Sequence, residues 1–278
     1  MSLMSKLIVK PGSKIRLADV DPDFHGPYKS EKDAQKHLDQ QSASISDLQK
    51  KLYAERKHSL LIVLQGIDAA GKDGTCWHVL RSMNPQGTNV HGFKQPTAEE
   101  SSHDFLWRVH PHVPADGNVA IFNRSHYEDV LVQRVHKMAP GKVIEKRYDL
   151  INAFESTVHS NNTTILKFFL YISPEEQLRR FEERLDDPMR QWKISEGDYS
   201  ERALWDDYIK AYEAMLNKCS TDHAPWYVIP ANHKWFRNLA VGSIVEKTLK
   251  DMKMQLPKPT VDLKEIRRKY HQAKKEKL

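Results

Sequence analysis

The chain of 278 residues, 39% hydrophobic and 29% charged, has the apolar mass for one α/β core with helical additions. No apolar stretch approaches the roughly 20 residues that span a bilayer, the opening MSLMSKLIVK lacks an apolar leader and a small-residue cleavage site, and two cysteines cannot build a disulfide framework. Membrane, secretory and disulfide-scaffold classes drop out, a cytoplasmic protein is expected, and 43 Lys and Arg against 37 Asp and Glu, a net charge of +6, point to polyanionic partners.

Met1, Ser2 and Leu3, ahead of a second methionine, read as a cloning remnant and stand outside the fold argument. Residues 30–58 read as a polar helix in front of the first strand. Five runs rich in β-branched, aromatic and aliphatic residues are the expected strands: 60–65 (LLIVLQ), 88–93 (TNVHGF), 119–123 (VAIFN), 165–171 (ILKFFLY) and 226–230 (WYVIP). The first, third and fourth are almost continuously apolar, the mark of parallel strands covered on both faces. Between them, helical spacing groups Cys76, Val79, Leu80 and Met83, then Ile144, Tyr148 and Ile151, then Leu204, Tyr208, Ala211 and Met215. This alternation predicts a parallel sheet with helices on both faces. SPEEQLRRFEERLDD opens with Ser173 as cap, Pro174 at the first helical position and Glu176 closing a capping box, and it runs to Asp187 before Pro188. A second helix begins near DYSERALWDDY, completing a charged hairpin, and 259–278 reads as a basic helix or frayed tail. Cys76 and Cys219 are expected as buried thiols.

The chemistry concentrates after the first strand. In GIDAAGKDG, residues 66–74, Gly66 and Gly71 let the backbone curl so that N–H groups face an anion, and Lys72 supplies a point charge at a helix N-terminus. Ala69, Ala70, Asp73 and Gly74 complete this phosphate-binding loop. Its departure from the common pattern is Asp73, where a Ser or Thr hydroxyl would ligate Mg²⁺. Asp73 is either an ordinary first-turn acid or a carboxylate standing behind a metal. Asp68, inside the loop, would repel phosphate: two unit charges at 4 Å interact by about 4 kcal/mol at an effective dielectric of about 20. A divalent cation between them reverses the sign, so Mg²⁺ is expected, with Mn²⁺ an accepted substitute.

VAIFNRSHYEDV ends a strand with Asn123 where nucleotide kinases carry a metal-binding carboxylate, so the carboxylates must come from elsewhere; Glu128 and Asp129 follow, each of which alone reads more readily as a solvated helix residue. Arg124 sits at the carboxyl edge of the strand, where α/β sheets bind ligands. Most charges of the hairpin are expected in solvent-facing pairs, but Arg184 and Lys193 are candidates for a lid that closes over phosphate. His103, His110, His112 and His126 lack metal-ligand spacing and are expected in structural hydrogen bonds rather than on zinc.

The set GIDAAGKDG, GFKQPT, HDFLWR, IFNRSHYEDVL and RLDDPMRQWKIS followed by WDDY resembles the polyphosphate kinase 2 family over about residues 30–255. That resemblance implies a fold like thymidylate kinase: a three-layer α/β/α P-loop core with a five-stranded parallel sheet and a helical lid. It divides the chain into an N-terminal helical extension at 1–58, a core at 59–255 with the lid at about 173–210, and a basic tail at 256–278. It implies transfer of the terminal phosphoryl between inorganic polyphosphate and nucleotides such as AMP, ADP and ATP, with Mg²⁺, in dimers or tetramers of identical subunits. By position, Asp68 and Lys72 match the metal and phosphate residues of the loop, Arg124 and Arg184 the arginines of turn and lid, and Lys94 a lysine near the substrate path. Asn123 departs from members with an aspartate there and resembles the subgroup acting on both mono- and diphosphates, which implies that Asp129, with Glu128 as the second candidate, replaces the carboxylate. The rival readings are an ATP-dependent nucleotide kinase and a non-catalytic polyanion binder suggested by the tail KEIRRKYHQAKKEKL, although no nucleic-acid-reading motif and no membrane segment is present.

Overall fold

Strand β1, Ser59–Gln65, is buried at all seven residues, as its unbroken apolar sequence requires. It lies at the centre of a parallel sheet ordered β2-β3-β1-β4-β5, with β2 at Thr88–Gly92, β3 at Val119–Asn123, β4 at Thr163–Tyr171 and β5 at Trp226–Pro230. The five expected strands are present, differing only at their ends. The computed structural model describes residues 3–276; Met1 and Ser2 of the leading tripeptide and the last two residues of the basic tail lie outside it.

Eleven helices among the described residues complete the layers: α1 Leu3–Leu7, α2 Glu31–Glu55, α3 Lys72–Leu80, α4 Ala98–Ser102, α5 Val132–Val135, α6 Gly141–Ser160, α7 Pro174–Asp186, α8 Glu196–Arg202, α9 Trp205–Cys219, α10 Lys234–Asp251 and α11 Leu263–Lys275. Helix α10 packs on α2 and α3. On the other side of β4, Lys167 meets Glu155 of α6 and the carbonyl of Cys219 in α9, and Phe169 packs on Tyr212 of α9. The expected apolar faces are buried, including Val79, Ile144, Tyr148, Ile151, Ala211 and Met215, as are both cysteines. No described helix is long and apolar enough to cross a membrane.

Residues 3–58 pack against this core. Val9 N–H donates to the Trp226 carbonyl of β5 at 2.8 Å, and α2 buries Ala34, Leu38, Ile45 and Leu52 at helical spacing. Gln41 of α2 donates to the Leu239 carbonyl and the Ser243 hydroxyl of α10. Helix α11 buries none of its residues.

Two local expectations are corrected. Ser173 does cap α7, accepting from Glu176 N–H, but Glu176 does not reach back: its carboxylate is taken by Arg179 and Arg180 at 2.6–2.7 Å. The Ser173 N–H is already taken by the Asn232 side-chain oxygen at 3.0 Å, and two guanidinium groups offer Glu176 stronger, charge-assisted bonds. Reciprocal capping boxes instead start α4, through Thr97 and Glu100, and α8, through Ser195 and Asp198. The second hairpin helix is also two helices, α8 and α9, because Asp206 and Asp207 open a fresh first turn after Leu204.

Candidate active site

Parallel pairing brings the candidate residues together. Leu64 pairs with Asn123 and Gly92 pairs with Asn123, so the segments leaving β1, β2 and β3 emerge at one edge. The loop leaving β1 is forced by close packing: a Cβ on Gly66 would stand 2.8 Å from the Leu170 carbonyl. Gly71, at φ 103°, caps α3 in a left-handed conformation and supplies no side-chain bond, so the first-turn amides of α3 face outward. Lys72 folds back over the loop, donating to the carbonyls of Gly66 at 2.6 Å and Ile67 at 3.3 Å. Burial, aided by the charge of Arg124, pushes Lys72 down to about 8. An anion beside it would favour the charged form.

Arg124 leaves β3 with φ at 62°, an uncommon conformation for a long side chain. That turn aims its guanidinium at two acids: Nη2 donates to Asp68 at 2.8 Å and Nη1 to Glu128 at 3.2 Å. Burial opposes the charge, but Glu128 and Asp68 hold Arg124 above the ordinary arginine value. Asp73 accepts from the Asn123 amide at 2.8 Å and from Lys193 at 3.0 Å, so the loop acid fastens both the β3 edge and the lid. Burial works against its ionisation, yet these two donors leave its carboxyl below the usual range.

Glu128 and Asp129, adjacent in sequence, part company here. Glu128 shares Arg124 with Asp68, whereas Asp129 is tied to Gln133 at 2.7 Å and to Arg147 at 3.4 Å. Burial, reinforced by Glu128 and opposed by Arg147, pushes Asp129 up to about 6. Arg184 is held within the lid, donating to the Lys193 carbonyl and lying 3.4 Å from Asp198. Lys94 is exposed, its carbonyl held by Arg108. These groups surround a cleft of about 1170 Å³. Every candidate named from the sequence lines it except Gly66 and Ala70, which are buried in the packing of the loop itself.

The cleft has two chemical ends. The segments that follow β2 and β3 line it with Phe93, Phe105, Val109 and Val132, with Arg108 over the Phe93 ring at 5.3 Å; α7, the lid loop and α10 line it with Arg180, Arg184, Arg190, Lys234 and Arg237, beside the acid Glu183. Sequence reasoning overlooked Arg180, counting it among solvent-facing pairs. Arg180 is 4% exposed and donates to the loop carbonyls of Ala69 at 2.8 Å and Ala70 at 3.0 Å, while Gln177 donates to the Asp68 carbonyl. Its signal was helical spacing: Gln177, Arg180 and Phe181 share the buried face of α7. Of the four histidines weighed from the sequence, His126 lines the cleft and meets Glu155 at 3.3 Å, while His103 stacks on Trp107, His112 stacks on His91 and His110 abuts Phe154.

Known proteins share this arrangement along most of the chain. The profile of the family described as polyphosphate kinase 2 matches residues 28–257. The AMP/ADP-polyphosphate phosphotransferase of Meiothermus ruber is 48% identical over 92% of this chain and 96% of its own. The ADP-polyphosphate phosphotransferase of Rhodopseudomonas palustris is 41% identical over 91% of each. The crystal structure of polyphosphate kinase 2 from Arthrobacter aurescens TC1 superposes with a TM-score of 0.94 at 44% identity, covering 98% of this chain and 97% of that one. With similarity of this extent running through loop, turn and lid alike, the chain belongs to the polyphosphate kinase 2 family and is an enzyme of that kind.

Proposed function

We propose that this enzyme transfers the terminal phosphoryl of inorganic polyphosphate to AMP and to ADP, reversibly and with Mg²⁺. The observation that carries the reading is Arg124, held between Asp68 and Glu128 beside the Lys72 loop, with a basic end of the cleft on one side and an apolar, aromatic end on the other. The basic end suits a polyanion. The apolar end suits a nucleobase, with its phosphates directed at the loop.

Lys72 and the first-turn amides of α3 would grip the transferred phosphoryl, and Arg124 would spread its charge, so that catalysis is positioning and electrostatic stabilisation. No covalent enzyme intermediate is needed. Asp68 and Glu128 fit Mg²⁺, a hard cation that takes one or two carboxylates and fills its remaining positions with water and phosphate oxygens. When bound, Mg²⁺ screens the phosphates from each other and from these acids; Mn²⁺ fits the same oxygen set. The Lys193–Asp73 pair joins lid to loop and would help to keep water out. Assembly of identical subunits and a cytoplasmic address, where nucleotides are made and used, belong to the same reading.

Incubating the purified chain with long-chain polyphosphate, Mg²⁺ and AMP or ADP is expected to yield ADP and ATP, and EDTA to stop it. ATP offered as sole donor to AMP should react far more slowly. Absence of product from polyphosphate under these conditions would refute the reading.

A further inference from the structure

Arg237 is a cation without an anion. It is 4% exposed, and its Nε and Nη2 both donate to the side-chain oxygen of the adjacent Asn238, at 3.1 and 2.9 Å. Among the described residues no carboxylate pairs with it, and the charged group that acts on it most is another guanidinium, Arg180. Arg180 is satisfied, by Glu176 at 2.6 Å and by carbonyls of the loop and of Asn232. Arg237 is not. A guanidinium stays charged at any working pH, so burying one unpaired is strongly unfavourable unless something neutralises it in use.

Its place in the fold adds to the cost. Lys234 and Arg237 stand in the first four residues of α10, which has no acidic residue in its first turn, so both cations face the positive end of the helix dipole. Lys234 finds Glu183 at 2.7 Å. Arg237 turns instead to the glycine loop: a Cβ on Gly71 would collide with its Nη1, and one on Gly74 would lie 3.2 Å from its Nη2. The guanidinium therefore covers the N-terminal turn of α3, whose free amides also call for an anion, and it lines the cleft at its basic end. Burial and the proximity of Arg180 push Arg237 down to about 9, the direction that an arriving anion reverses.

We propose that Arg237 anchors a phosphate subsite at the basic end of the cleft, next to the phosphoryl held by Lys72 and the first-turn amides of α3, that it holds an unreacted unit of the polyphosphate donor there, and that it so sets the enzyme's preference for a long polyanion. The proposal rests on the reading above. The acceptor's phosphates are the other source of the same chemistry, and the two are separable by kinetics.

The test compares wild type with Arg237→Met and Arg237→Lys, using long-chain sodium polyphosphate and ADP in turn as varied substrate. Arg237→Met is expected to raise KM for polyphosphate about tenfold or more, the loss expected of one charge-assisted donor, with KM for ADP within about twofold. Arg237→Lys should recover part of that loss. Without nucleotide, Arg237→Met should melt at or above the wild-type temperature while losing most of the upward shift that polyphosphate gives wild type. A merely structural arginine would do the reverse, lowering the melting temperature and leaving the polyphosphate-induced shift intact, and that result would overturn the proposal. A rise in KM confined to ADP would overturn it too, by giving the subsite to the acceptor. Should Arg237→Met not fold, Arg237→Gln carries the same comparison. A wild type active on polyphosphate beside an unchanged variant sinks this inference alone, whereas an inactive wild type sinks the function.

Discussion

Two buried charge clusters lie within this molecule, and they are built on opposite plans. Under the sheet, Lys167 is fully buried and donates to Glu155 at 2.5 Å, to the Tyr127 hydroxyl at 2.8 Å and to the Cys219 carbonyl at 2.6 Å. Tyr127 in turn donates to Glu155 at 2.7 Å. Lysine, carboxylate and hydroxyl saturate one another, and Lys167 holds the Glu155 carboxyl below its usual range against the opposing effect of burial. At the glycine loop the cations are left short: Lys72 rests on backbone carbonyls, and Arg237 on a neighbouring amide. A cluster that is neutral within itself serves the fold; one that leaves positive charge unspent is poised for an anion. The closed cluster also supports the open one. Tyr127 and His126 follow Arg124 in the chain and are both anchored to Glu155, so the strained turn that aims Arg124 is bolted to the core from behind.

The comparison breaks most visibly in the closed cluster. Lys167→Met should cost about 3–5 kcal/mol of stability in urea denaturation, because it strands the Glu155 charge in the interior. Adding Glu155→Gln should recover part of that loss; an equal or larger loss in the double variant would show that the pair is not a closed unit.

Next comes the open cluster. Lys72→Ala should lower kcat by about 100- to 1,000-fold while the melting temperature does not fall and rises at neutral pH, since no carboxylate is stranded and a buried charge is removed. Substantial turnover in that variant would remove the loop from the reaction. Its titration sharpens the same contrast. The unfolded chain keeps its lysine proton to near 10.4, whereas the folded, ligand-free site releases it near 8. Below about 8 Lys72 therefore carries its full stability cost, and that cost fades as pH rises from about 8 to about 10.4. Activity runs the other way. The kcat/KM should fall above about pH 8, while kcat, measured with phosphate already bound, persists to higher pH.

The smallest effect belongs to the lid. Lys193→Ala removes a solvent-exposed pair with Asp73, so stability should change by less than about 1 kcal/mol. A rise of a few-fold in KM is expected from the weakened lid-to-loop contact; a large drop in melting temperature would mean that the lid is a structural element instead.

Much of this was legible along the chain. The apolar runs at 60–65, 119–123 and 165–171 could only be buried parallel strands, and GIDAAGKDG directly after the first of them marked the phosphate loop. The hairpin hid more. Eight of the thirteen residues of α7 are charged, and only the spacing of Arg180 from Gln177 and Phe181 separates it, buried against the loop, from Arg179, half-exposed between Glu176 and Glu183. Glu128 and Asp129 pose the same difficulty, since a tight turn sends neighbouring side chains to different partners. Arg237, in a helix far along the chain, carries no local motif at all.

Sequence alone determined the periodicities, the glycines that permit the loop and the supply of cations, because these depend on each residue's own shape and charge. Which cations face one another, which acid shares Arg124, and which guanidinium is left without a carboxylate were decided only when the strands aligned their carboxyl ends and the helices closed over them. Electrostatic pairing depends on distance in space, and distance in space is what the order of residues does not contain.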